Sequence, residues 1–262
     1  MLMMAVILLT LIVSLAINLF LFLIAFRRQS DKLTDISYAL SFLAIAITGF
    51  LRAPTINGYS WLIFLVVVIW AVRIGGFLLM RVLKVGKDSR FDDLREHFVR
   101  FGKFWLGQAV TAWVLMLPVT LSLYRGGQVK ALTLLGVLAW AIGLGVEAAA
   151  DYQKFAFKLR PVNRGTWIQE GVWRYSRHPN YFGEITVWAG IYLICFLALN
   201  TAGRVISLAS PLLIAFVLLY VSGVPILERS ADKRWGHLAA YKTYKQNTRL
   251  LVPLPRFGRK GP

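Results

Sequence analysis

Between Gly171 and Glu184 the chain gathers Arg174, Tyr175, Arg177, His178, Asn180, Tyr181 and Glu184 into a single loop-to-helix segment. Pro179 restricts the residue before it, His178, to extended backbone. Asn180 is suited to cap the helix implied by the apolar run that follows. Free N–H groups at a helix start, with Arg174 and Arg177 beside them, form a site for phosphate or carboxylate. Glu184, one turn on, is placed to accept from ribose hydroxyls or a carboxamide. A plainer role is open to the same residues, since arginine anchors lipid headgroups and tyrosine populates the membrane interface. That role leaves Asn180 and Glu184 without a purpose, and the segment points to a nucleotide-type ligand.

Two further clusters flank this one. Glu147 and Asp151 stand four apart, on one helix face, with Lys154 and Lys158 continuing the series. Alone they read as an ion-pair ladder at a helix end. In the tail, Glu228 and Arg229 close the last apolar run, and Arg229, Lys233 and His237 fall at i, i+4 and i+8, which on a continuous helix presents three donors on one face. Tyr241 and Tyr244 follow, while Trp235, Leu238 and Leu250 suit a stretch lying on a membrane surface. Arg73, followed by Gly75 and Gly76, is the deepest charge within an apolar run. Such a group is either a functional residue or the partner of an acid such as Asp35 or Glu147.

These residues are held by a membrane protein. The 262-residue chain is 58% hydrophobic and 16% charged, with mean hydropathy +0.62. Soluble domains run at about 45–50% apolar and about 25% charged. Apolar runs at 2–26, 36–51, 61–83, 104–123, 131–150, 185–200 and 205–227 predict an all-α bundle of about seven transmembrane helices, with six if the short second run does not cross. The first run lacks a preceding basic residue and a cleavage site, so it reads as a helix rather than a signal peptide. With the N-terminus outside, 24 of the 30 Lys and Arg fall in inner segments and 4 in outer loops. The positive-inside bias therefore places the C-terminus in the cytoplasm. It also accounts for the net charge of +18 without nucleic acid. The long inner segments put the chemistry at the cytoplasmic face of one membrane domain, with a substrate-side half at 1–130 and a cofactor-side half at 131–255. A bacterial inner membrane is the expected location, with no obligate protein partner.

Arg177-His178-Pro179-Asn180-Tyr181-Phe182-Gly183-Glu184, with Glu228-Arg229 and the Tyr241/Tyr244 tail, resembles the C-terminal part of the steroid 5-alpha-reductase superfamily, and within it a bacterial membrane branch. The likeness is strong over roughly 140–255 and loose over the first three helices. Its Arg-His-Pro element is shared more distantly with isoprenylcysteine carboxyl methyltransferases and phospholipid methyltransferases. The resemblance implies a seven-helix fold holding NADPH in a cytoplasmic-side cavity. Its cofactor residues carry over onto Asp151, Lys158, Tyr175, Asn180, Glu184 and Arg229, and in the tail onto Lys233, His237 and Tyr244. Lys158 stands where the family has arginine, which keeps a charge but loses the bidentate fork. The substrate half departs from the family. Steroid reductases polarise the enone carbonyl with a Gln-Glu pair on the second helix and a tyrosine on the third. Here Asp35 and Tyr38 open the second helix, and Trp70 lies near the tyrosine position.

The expected activity is an NADPH-dependent reduction of an activated C=C bond in a lipophilic, sterol- or isoprenoid-like substrate. Asp35 or Tyr38 would supply the hydrogen bond to the developing enolate oxygen, and Asp35 could donate only in its protonated form. Arg177, His178 and Tyr181 join the cofactor candidates through their place in the loop. The alternatives are an S-adenosylmethionine-dependent methyltransferase, which Arg229 beside Glu228 disfavours, and a non-enzymatic lipid-binding protein on the same fold. Transport is weak because the charges cluster at one face. No metal site is expected, since His97, His178 and His237 are scattered and lack ligand spacing. Cys195 sits in an apolar run as a packing residue. Gly143-Leu-Gly145 lies within a membrane helix and reads as a packing feature rather than a dinucleotide turn.

Overall fold

The computed structural model describes residues 2–85 and 93–254. The basic residues counted for orientation at Lys87, Arg90, Arg256, Arg259 and Lys260 lie outside them. The described chain folds into α1 (Leu2–Arg27), α2 (Thr34–Leu51), α3 (Gly58–Val85), α4 (Phe98–Leu115), α5 (Leu117–Arg125), α6 (Ala131–Leu159), α7 (Pro179–Phe196), α8 (Thr201–Phe216), α9 (Val224–Trp235) and α10 (Ala239–Asn247). Six segments among the described residues are long and apolar enough to cross a membrane: α1, α2, α3 to Lys84, α4 with α5, α6, and the stretch Thr201–Trp235. The fold is an all-α membrane bundle. The run expected at 185–200 begins earlier, as α7, and its first turns carry Asn180 and Glu184. That polar start keeps α7 out of the six.

The chain divides into two compact units. The first comprises Met1–Val137 and Ile191–Leu213. Its α1, α2 and α4 are joined by buried polar side chains: Asn18 Nδ2 donates to Ser41 Oγ at 2.8 Å, and Gln108 Nε2 donates to Ser37 Oγ at 2.6 Å and to Asn18 Oδ1 at 3.2 Å. Ser14 Oγ reaches the Ala109 carbonyl at 2.9 Å. In hydrocarbon such bonds fix helix register, because the alternative is an unsatisfied polar group. Below this lattice Phe22, Phe101 and Trp105 pack with Phe26 and Phe104. A buried ion pair, Arg95 Nη1 to Asp31 Oδ1 at 3.0 Å, ties the start of α4 to the α1–α2 turn. The run read as one helix at 104–123 is two. The Met116 N–H bonds back to Ala112 and Trp113, and Pro118, which has no N–H to offer, occupies the first turn of α5.

The second unit comprises Leu138–Gly190 and Ile214–Pro262. Two glycines set its central crossing. A Cβ on Gly183 would stand 2.6 Å from the Glu147 backbone nitrogen and 2.7 Å from the Gly143 carbonyl, and one on Gly143 would stand 2.7 Å from the Gly183 carbonyl. The α6 and α7 backbones therefore touch, as small residues permit between membrane helices, and Gly143 has the packing role its sequence context suggested. Beyond α8 the backbone widens into a π-helical turn at Val217–Val221, and α9 restarts after Ser222 and Gly223 with Pro225 in its first turn. The apolar run at 205–227 thus also contains a break. After α10 the tail returns to the loop before α7. Ser176 pairs with Arg249 in a single parallel bridge, and the His178 N–H donates to the Leu250 carbonyl at 3.1 Å.

The glycine crossing gives a direct expectation. Gly183→Ala destabilises the protein by about 1–3 kcal/mol through overpacking. Gly145→Ala, where an added Cβ meets nothing within 4 Å, leaves stability unchanged or slightly raised. Thermal unfolding of the two variants in detergent checks the pair.

Candidate functional site

Glu228, on α9, collects charge from two other parts of the second unit. Its Oε1 lies 2.9 Å from His178 Nε2, and its Oε2 lies 3.2 Å from Arg177 Nη1 and 3.1 Å from Lys245 Nζ on α10. Lys245 also holds both oxygens of Asp232, at 2.6 and 2.7 Å. Loop, α9 and α10 are joined through these carboxylates. The His178 ring is stacked on Tyr181 with centroids 5.4 Å apart and planes 4° from parallel. Its backbone N–H is claimed by the Leu250 carbonyl and Ser176 Oγ, and the side chain is 5% exposed.

Around this centre lies a cavity of about 220 Å³. Lys154, Lys158, Arg177 and Arg234 contribute four cations against the one carboxylate of Glu228, and Trp167, Trp173, Trp235, Tyr241 and Tyr244 supply aromatic wall. The wall is braced from within. Trp173 Nε1 donates to the Ala150 carbonyl at 2.9 Å, Trp235 Nε1 to the Gly165 carbonyl at 2.6 Å, and Lys154 Nζ sits 4.4 Å above the Trp173 ring. Trp167 meets Tyr241 edge-on at 5.1 Å. Against this bracing stand four buried polar atoms with no hydrogen-bond partner: Trp167 Nε1, Arg177 Nε and Nη1, and His178 Nδ1. Arg177 Nη1 is within ion-pair distance of Glu228 but not aligned for a hydrogen bond. Buried polar groups are ordinarily satisfied, and these four belong to three residues of the cavity lining.

Protonation states follow from burial and charge. Burial holds the His178 imidazole below its ordinary value, outweighing the pull of Glu228, so the ring is neutral at pH 7. Burial raises the Tyr241 phenol to about 12, with Glu228 and Asp232 adding to the effect. It raises Tyr244 as well. Burial lowers Lys245, but its bonds to Asp232 and Glu228 more than offset that and leave it raised.

The residues expected to bind a cofactor divide into groups. Lys158, Arg177, His178 and Tyr244 line the cavity. Asp151 is buried and accepts from Asn180 Nδ2 at 3.3 Å, while Glu184 and Tyr181 are half-buried on α7. Tyr175, Arg229, Lys233 and His237 are exposed and do not line the cavity. Two expectations need correction. Asn180 is not the cap: α7 opens at Pro179, the Phe182 N–H bonds to the His178 carbonyl, and the Asn180 side chain points to Asp151 instead. Nor do Arg229, Lys233 and His237 share one helix, because α9 ends at Trp235 and the Gly236 N–H closes on the Asp232 carbonyl before His237. On the substrate side, Asp35 and Tyr38 belong to the first unit. Asp35 accepts from Arg81 Nη2 at 2.6 Å. Tyr38 meets Phe42 edge-on at 4.8 Å.

Sequence reading missed Trp167, Trp173 and Arg234 and assigned other roles to Lys154, Trp235 and Tyr241. Tryptophans at 167 and 173, on either side of Gly171 in a basic loop, were the available signal. The family described as "Protein of unknown function (DUF1295)" matches residues 21–248. The chain belongs to that family. The matched region contains both helices of the glycine crossing and every residue that lines the cavity. Neither a curated protein nor a solved structure matches it.

The state of His178 has a measurable consequence. A histidine held neutral in the folded chain is protonated first in the unfolded one, so its share of stability is intact above the ordinary value of 6.5 and is lost as pH falls through the lowered native value. The melting temperature is expected to fall on acidification from about pH 7 to about pH 5. His178→Asn, which leaves Glu228, Arg177 and Lys154 in place, flattens that dependence.

Proposed function

We propose that the chain is an NADPH-dependent membrane reductase of an activated C=C bond in a lipophilic, sterol- or isoprenoid-like substrate, related to the steroid 5-alpha-reductase superfamily. One observation carries the reading. Trp167 and Arg177, whose buried Nε1, Nε and Nη1 atoms make no hydrogen bond, line a cavity with four cations and five Trp and Tyr side chains. Donors and cations call for oxyanions, and flat aromatic rings suit a base. A nucleoside phosphate satisfies both. The cavity is smaller than the roughly 300–1,000 Å³ of most small-molecule sites, so it suits one nucleotide of the dinucleotide. Lys154, Lys158, Arg177 and Arg234 would hold phosphate, and Trp167, Trp235 and Tyr244 would flank the base. NADPH, when bound, supplies the hydride.

The tasks left to this chain are to orient the cofactor, exclude water and offer a hydrogen bond to the substrate oxygen. On the substrate side Tyr38 is the better donor, because Asp35 is occupied as an acceptor by Arg81. The basic inner segments support a cytoplasmic-facing cavity in a bacterial inner membrane. Methyl transfer from S-adenosylmethionine is less well served. An amino-acid ammonium needs an open carboxylate, whereas Glu228 is already engaged by Arg177, His178 and Lys245.

Thermal stabilisation of the detergent-purified protein by NADPH, NADH and S-adenosylmethionine tests the reading. NADPH at a hundredfold excess over its Kd should contribute about 2.7 kcal/mol. Arg177→Ala, and Asn180→Ala or Glu184→Ala beside it, should abolish that shift without unfolding the chain. Stabilisation by S-adenosylmethionine alone, or NADPH binding unchanged in all three variants, overturns it. A C=C reduction screen with enones then asks whether Tyr38→Phe lowers turnover.

A further inference from the structure

We propose that the outer face of α9 is a binding site for the headgroup of an anionic phospholipid, held by Arg229 and Lys233. The site lies on the side of α9 turned away from the cavity and stands apart from the nucleotide reading.

The two sides of α9 differ in what they meet. Leu227, Glu228, Ala231, Arg234 and Trp235 line the cavity. At 3.6 residues per turn they share one side of the helix. Ile226, Arg229 and Lys233, at i, i+3 and i+7, fall on the opposite side and are exposed. Arg229 and Lys233 stand one turn apart, about 6 Å along the axis.

These cations lie where a bilayer changes from hydrocarbon to headgroup. The stretch Thr201–Trp235 that ends with α9 is 35 residues long, whereas about 20 helical residues cross the hydrocarbon. Its end therefore projects into the polar layer. Phe216, Tyr220 and Val221 are exposed before α9, as is Ile226 within it. They form a lipid-facing surface, with a tyrosine of the kind that populates its edge. Beyond Ile226 the same side of the helix turns basic. Arginine and lysine at such a boundary lay their stems along hydrocarbon and place their charge among phosphates.

The charge there is not spent within the protein. The two acids of α9, Glu228 and Asp232, are both taken by Lys245. Among the described residues no carboxylate pairs with Arg229 or Lys233. A guanidinium and an ammonium one turn apart can share a phosphodiester, the first through its planar fork and the second as a point charge. A zwitterionic headgroup would bring its own ammonium back to two cations, and an anionic one does not. The site therefore selects anionic lipid. Because Glu228 stands on the inner side of α9, a lipid on the outer side would steady the helix that carries the cavity's carboxylate.

Native mass spectrometry of the full-length protein in detergent tests the site, with phosphatidylglycerol and phosphatidylcholine of matched acyl chains as the probes. The wild type should retain phosphatidylglycerol in preference. Arg229→Gln with Lys233→Gln should weaken that binding by about tenfold or more. Arg164→Gln with Lys242→Gln removes the same charge from exposed positions off α9 and off the cavity, and should change it by no more than about threefold. Arg229→Lys with Lys233→Arg keeps both charges and should keep the preference. Equal losses in the two neutralised chains overturn the site in favour of diffuse attraction to a basic protein. Equal retention of the two lipids overturns it in favour of acyl-chain contact. Displacement of phosphatidylglycerol by glycerol phosphate overturns it in favour of a soluble anion. The wild type and the charge-keeping variant decide even where a neutralised chain does not fold. No step reads nucleotide binding, so the two readings fail separately.

Discussion

The carboxylate of Glu228 is the interaction on which the second unit's site depends. An acid placed between a histidine and an arginine from one loop and a lysine from α10 does more than balance charge. It sets the tautomer of His178, holds Arg177 at the cavity wall and brings α10 against α9. Removing one member of such a network leaves the others desolvated and unpaired, which is why partly buried ion clusters cost more to break than they contribute when formed. The aromatic wall is arranged around it, with tryptophan N–H groups used to brace loops and only Trp167 left without an acceptor.

The two units answer different physical demands. In the first, helices that face hydrocarbon have little hydrophobic reason to associate with one another, and Asn18, Ser37, Ser41 and Gln108 provide register through directional bonds. In the second, backbone contact at Gly143 and Gly183 brings α6 and α7 together, so that Asp151 on α6 reaches Asn180 on α7. The glycine in the loop-to-helix segment therefore belongs to the same device as the polar residues on either side of it.

How much of this was legible in the sequence depends on the kind of signal. Helices with long apolar runs declared themselves, as did the basic loops, because the bilayer imposes length and composition on anything that crosses it. Breaks were harder to see. The interruption at Met116–Pro118 and the π-turn before α9 leave hydropathy unchanged, since they alter backbone hydrogen bonding rather than side-chain type. Spacing in the tail misled for a related reason. A helical register was assumed through Gly236, where the chain turns, and His237 left the face it was assigned to. Of the residues that line the cavity, Arg177 and His178 were singled out by residue type and context, and Lys158 and Tyr244 through the family resemblance. Trp167 was not, because a tryptophan near a membrane has so many ordinary reasons to be there.

The pairing of the tail with the loop before α7 bears on how the protein is made. Ser176 Oγ donates to the Leu251 carbonyl at 2.7 Å, across a sequence separation of 75 residues. During synthesis the loop that carries Arg177 and His178 leaves the ribosome long before its backbone partners exist. The membrane-crossing stretch Thr201–Trp235 is made in the interval, with that loop unclasped. The last described residues thus act as a closing stitch, and the cavity wall takes its final form only after the membrane helices are already in place.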